Sequence, residues 1–154
     1  MCFCLYVGSN QPPALARYEE RPGHVNGYPV EADHPQAAEI RQHFTLPEVA
    51  SLGAAEGCGC GFLHRTMDQN WLTEESIREN WMPSETDRQN RRELYELVAS
   101  QVAEFGLVEL YGCWNDDEGE ATEREEEITL EQVLDVYFWF RHRVLYRVRE
   151  ANQE

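Results

Sequence analysis

The sequence predicts a single α+β domain: a mixed, mostly antiparallel sheet of about four or five strands, one long amphipathic helix, and two or three short helices packed on it. Three observations predict it. Residues 2–8 alternate as a strand does, residues 85–105 repeat apolar side chains at helical spacing, and strand and helix signals follow one another in mixed order. At 154 residues the chain is long enough to bury a core without help from metal or disulfide.

Taken in order, Cys2, Cys4 and Tyr6 share one face of the first strand, and Phe3, Leu5 and Val7 the other. Both faces are apolar, as in a central strand. Residues 10–30 are rich in Pro, Gly and polar groups and read as irregular loop. A short helix follows, with Asp33 as its cap, Pro35 in the first turn, and Ala37, Ala38, Ile40 and Arg41 behind it. Residues 48–54 read as a second strand, turning through Ala55-Glu56-Gly57 into a third at 58–64.

Thr73 caps a short helix at 74–80. For 85–105, Ser84 and Asp87 approximate a capping box, Leu94, Leu97, Val98, Val102 and Phe105 line one face, and Gly106 ends the helix. Residues 107–114 form the next strand, and 115–128 an acidic, mobile loop. Thr129 and Gln132 form a capping box for a helix near 130–135. The segment 137–148 fits both periods. Its aromatic and β-branched content favours a strand, with Phe138, Phe140, His142, Val144, Tyr146 and Val148 on one face. Trp71 and Trp81 read as anchors of a small secondary core.

Charge excludes whole classes of function. A formal net charge of −16 argues against nucleic acid and against an anionic membrane surface, both of which need clustered basic residues. All 13 basic residues are arginine. Without lysine there is no P-loop lysine, no Schiff base and no pyridoxal-phosphate anchor. No signal-peptide pattern is present, and no apolar run reaches the roughly 18 residues of a membrane helix. The expected location is therefore the cytoplasm, where thiols stay reduced and close cysteines point to metal or catalysis more than to disulfides.

That inference bears on the most distinctive pattern in the chain, two C-x-C pairs at Cys2-Phe3-Cys4 and Cys58-Gly59-Cys60, the second inside a run of alternating glycines. Zinc holds sulfur at about 2.3 Å, so ligating sulfurs lie within about 4 Å of one another. In a regular strand, residues i and i+2 are about 6.6–6.8 Å apart, which counts against Cys2 and Cys4 gripping one ion together. Cys58 and Cys60 escape this limit because glycines permit a tight turn. His64 adds a nitrogen in the pattern Cys58-x-Cys60-x3-His64. The metal reading takes Cys2, Cys4, Cys58, Cys60 and His64 as ligands and zinc as the ion. Two other readings stand beside it: an interaction domain whose cysteines are only core, and a thiol-dependent enzyme needing one exposed, low-pKa cysteine. No catalytic motif is recognisable, and the balance leans away from an enzyme.

Other features weigh less. Cys113 reads as structural, and His64 and His142 as core histidines on apolar faces. The acidic run fails as an EF-hand: glycine at loop position six would put Trp114 where an aspartate is required. Arg141, Arg143, Arg147 and Arg149 form a basic stripe, fit either for an anionic ligand at Arg141, Arg143 and Arg147 or for pairing with the protein's own glutamates. A protein partner or a homodimer is compatible with all of this.

Overall fold

Strand β1 (Phe3–Ser9) lies inside a six-stranded sheet, because both of its faces are apolar and each is covered. The computed structural model describes residues 2–65 and 72–150, so Trp71 lies outside the described residues. β1 is flanked by β3 (Glu48–Gly53) and β5 (Val108–Trp114), β2 (Asn26–Pro29) pairs with β3, and β8 (Val144–Arg149) pairs with β5. These pairings are antiparallel, and β6 (Arg124–Thr129) closes the order β2-β3-β1-β5-β8-β6 by running parallel to β8. The α+β class and the mostly antiparallel sheet are as expected. The strand count is six rather than four or five, and β4 (His64–Arg65) and β7 (Phe140–Arg141) add a small parallel pair.

One face of the sheet, through Phe3, Leu5, Val7, Leu110 and Tyr146, packs against Leu94, Val98 and Val102 of the long helix α3 (Glu85–Phe105). The other face gathers Tyr6, Val49, Tyr111, Cys113 and Leu145 under Ala37 and Ile40 of the short helix α1 (Ala37–Arg41). Helix α3 has the expected boundaries: Ser84 and Asp87 form a reciprocal capping box, and Gly106 ends the helix in the left-handed region at φ 84°. Thr73 caps α2 (Glu74–Asn80), and Thr129 with Gln132 caps α4 (Leu130–Leu134). Trp81 packs edge-on against Tyr137 and Trp139, the small secondary core expected of it. Among the described residues, no helix is long and apolar enough to cross a membrane.

Five expectations are corrected. The segment 58–64 is a 3-10 turn at Gly59–Phe62 followed by two residues of strand, because its glycines permit a tight turn and the Gly61 and Phe62 carbonyls are taken by Asn90 and Arg91 of α3 rather than by a neighbouring strand. α1 begins at Ala37 with Gln36 as its cap, the turns at 31–36 replacing the first helical turn that Asp33 and Pro35 suggested. The acidic loop ends before Arg124, where β6 starts, and β2 lies within the stretch expected to be irregular. The segment 137–148 is broken at His142 and Arg143, the latter at φ 59°, so β7 and β8 are separate strands. Past that break the alternation holds: Val144, Tyr146 and Val148 enter the α3-facing core and Leu145 the other.

Candidate metal centre

The cysteine turn leaves the end of β3 and folds back onto the start of β1 because glycine permits close approach. A Cβ on Gly59 would lie 2.6 Å from the Phe3 carbonyl oxygen and 2.9 Å from the Leu5 nitrogen. One on Gly61 would lie 2.5 Å from Ala54 Cβ. Gly57 turns the chain at φ 99°, with its N–H donating to the Ala54 carbonyl at 2.8 Å.

Helix α3 holds this turn from beneath. Asn90 accepts from the Ala55 N–H at 2.9 Å and donates to the Gly61 carbonyl at 3.2 Å, while Asn26 donates to the Ala54 carbonyl at 3.0 Å. Arg91, fully buried, donates to the Phe62 carbonyl from Nε at 3.0 Å and Nη2 at 2.8 Å. It also reaches the carbonyls of Val133, Asp135 and Phe138, and its guanidinium lies 4.5 Å from the Phe140 ring centre. Burial pushes Arg91 down to about 9, with Asp135 working the other way, so it stays charged at neutral pH.

The result is a group of three thiols. The sulfurs of Cys2, Cys58 and Cys60 all lie within 4.8 Å of one another, Cys2 exposed and the other two half-buried. The Phe3 N–H donates to Cys60 Sγ at 3.2 Å, a bond that supports negative charge on that sulfur. Burial pushes the Cys58 thiol up to about 11, the hydrogen bond to the Cys60 sulfur adds to this, and the Cys60 N–H pulls the other way. Three sulfurs at this spacing could hold a thiolate-seeking cation.

The two other expected ligands fall elsewhere. Regular β1 starts only at Phe3, so Cys2 is free to turn toward Cys58 and Cys60, while Cys4 joins Tyr6 on the opposite face. There it sits directly across from Cys113 of β5. Burial and then the Glu118 carboxylate push Cys4 up to about 11, and the same two causes raise Cys113 further. His64 is stacked on Phe3 at 4.3 Å and edge-on to Trp114 at 4.8 Å, and it is outside the sulfur group. His142 accepts from the Trp114 N–H at 3.2 Å. Both histidines titrate lower than usual, first because of burial.

The basic stripe is largely paired with the protein's own carboxylates. Arg147 bonds Glu125 at 3.1 and 3.2 Å and lies 3.6 Å from Glu109, Arg149 bonds Glu127 at 3.3 Å, and Arg143 lies 3.6 Å from both Glu120 and Glu123. The acidic loop is anchored by Glu118, 1 % exposed, which accepts from the Tyr6 hydroxyl at 3.1 Å and from Gln36 at 3.3 Å. Sequence reasoning missed Asn90 and Arg91, the residues that hold the cysteine turn. The available signal was their position one turn before Leu94 on the apolar stripe of α3, where a polar side chain needs a buried partner.

Comparison with protein-family models, curated proteins and solved structures gave no match to this chain.

Proposed function

We propose that this protein binds a thiolate-seeking metal ion, zinc first among them, through Cys2, Cys58 and Cys60. The observation that carries the reading is the convergence of three sulfurs from two distant segments within 4.8 Å. Its support is the local architecture: glycines that bring the turn onto β1, a backbone N–H aimed at Cys60, and a buried asparagine and arginine that fix the turn. Without metal, Cys58 is a protonated thiol, and a cation displaces that proton on binding. A protonated, half-buried thiol is a poor nucleophile, which favours metal over a thiol-dependent enzyme acting through Cys58. With three protein ligands, the fourth position is open to solvent or to a second molecule, as in sites that exchange or act on ligands rather than merely brace a fold.

The test is elemental analysis of the purified chain, followed by titration with Co²⁺ and Cd²⁺ read by thiolate-to-metal absorption. One equivalent should bind. Cys58→Ser and Cys60→Ser should abolish the absorption band, and Cys4→Ser and His64→Gln should keep it. A band that survives Cys58→Ser unchanged would remove Cys58 from the ligand set and overturn the site as described, and thiols protected only by folding with no metal bound would leave the cysteines as core.

A further inference from the structure

We infer that the arginine-lined pocket between α2, α3 and the exit of α4 is a binding site for a small phosphate-bearing solute. Arg78 of α2 and Arg88 and Arg92 of α3 line an open cavity of about 300 Å³ together with residues Leu134 to Tyr137. That volume is at the small end of ligand pockets and suits inorganic phosphate or a compact phosphomonoester. Three of the protein's 13 arginines thus meet at one pocket in a chain of net charge −16.

The arrangement is unfavourable for folding alone. Arg88 and Arg92 are like charges at i and i+4, near the end of α3 where the helix dipole disfavours cations. Arg88 has no ion-pair partner among the described residues, and its side chain is exposed.

The remaining two arginines are paired, but loosely. Arg92 holds Glu85 at 3.1 Å, with side chains 52 % and 80 % exposed, and Arg78 holds Glu74 at 2.9 Å, with side chains 46 % and 47 % exposed. Exposed pairs of this kind yield to a dianion that engages several guanidinium groups at once. Arg78 is further fixed by Asp135 and lies 4.7 Å from the Tyr137 ring centre, which keeps its fork at the pocket edge. Asp135 is the one acidic side chain lining the pocket, and its other oxygen is taken by the Tyr137 N–H at 2.9 Å. Guanidinium forks match the geometry of phosphate oxygens, which a monovalent spherical anion does not offer.

The experiment is an NMR titration of the full chain, following backbone amides and arginine side-chain N–H groups. Sodium phosphate is compared with sodium acetate and sodium chloride at equal ionic strength. Saturable shifts with phosphate, confined to Arg78, Arg88, Arg92 and residues 134–137, are expected, with acetate and chloride giving none. Arg88→Gln, at an exposed position, should keep the rest of the spectrum and weaken phosphate binding by about tenfold or more. Unsaturated shifts that chloride reproduces, equal binding of acetate, or an unchanged Arg88→Gln titration would each overturn the assignment.

Discussion

Replacing Gly59 with alanine tests whether direct backbone contact is what brings the two thiol segments together. The added Cβ would sit 2.6 Å from the Phe3 carbonyl oxygen and 2.9 Å from the Leu5 nitrogen, both backbone atoms that cannot rotate away. Restoring an ordinary separation of about 3.4 Å to the nearer atom moves the turn off β1 by roughly 0.8 Å, the difference of the two distances. That exceeds the tolerance of about 0.2 Å for metal–ligand distances, so metal affinity should fall together with stability. Overpacking of this kind costs about 1–3 kcal/mol, which for a chain of this size lowers Tm by roughly 2–12 °C. The control is Gly119→Ala, whose Cβ would meet nothing nearer than the Glu39 carboxyl carbon at 3.5 Å and should change Tm little. Thermal melts by circular dichroism and a Co²⁺ titration read both quantities. A Gly59→Ala protein with wild-type Tm and wild-type Co²⁺ affinity would refute the close approach and, with it, the account of how the site is built.

Three further outcomes are expected. Arg91→Met leaves buried carbonyls of Phe62, Val133, Asp135 and Phe138 without their donor and should cost about 3–5 kcal/mol in urea unfolding; a loss under about 1 kcal/mol would contradict the contacts described. Because Cys58 is pushed up to about 11, its proton must leave on metal binding, so Zn²⁺ affinity should rise with pH, this one thiol contributing up to tenfold per unit. A competition titration at three pH values checks the slope, and a flat profile excludes Cys58 as a ligand. His43, His64 and His142 all titrate below 6.5, chiefly through burial. Between their folded values and 6.5 the unfolded chain binds more protons, so stability is full above 6.5 and falls as pH drops below it. Tm measured from pH 7.5 to 5 should decline, less steeply in His43→Gln, and equal slopes would remove His43 from the linkage.

How far the sequence revealed the molecule depended on whether the deciding interaction was local. Helix α3 was legible from Ser84 to Gly106 because a capping box and a left-handed glycine act within one turn of chain. β1 was legible because its alternation is paid out in two cores, one on each face. β6 was hidden because Glu125, Glu126 and Glu127 have no apolar rhythm; its register is supported instead by Arg147 and Arg149 on the neighbouring strand. The candidate site was half legible. Period-two reasoning kept Cys2 with Cys4, whereas the strand begins one residue after Cys2 and releases it to the other side. It also drew Cys58–His64 as a strand, when Asn90 and Arg91, some 30 residues on, bind this segment as a turn. No local pattern encodes a partner that distant.

The two rims of the sheet are defended against self-association by different means. β2 is a four-residue edge ending in Pro29, which offers no amide for a further strand. β6, at the opposite rim, has no proline, and its Glu125, Glu126 and Glu127 would face their own copies if two such edges met in register. Like charges opposed across strands repel, so the acidity of this segment acts as a barrier to fibre growth as well as a match for β8. Only one of these defences is chemical and reversible. Acid strong enough to protonate the glutamates lowers the barrier at β6 and leaves the proline rim untouched, so end-to-end polymerisation through both edges is blocked while pairing through β6 becomes permitted.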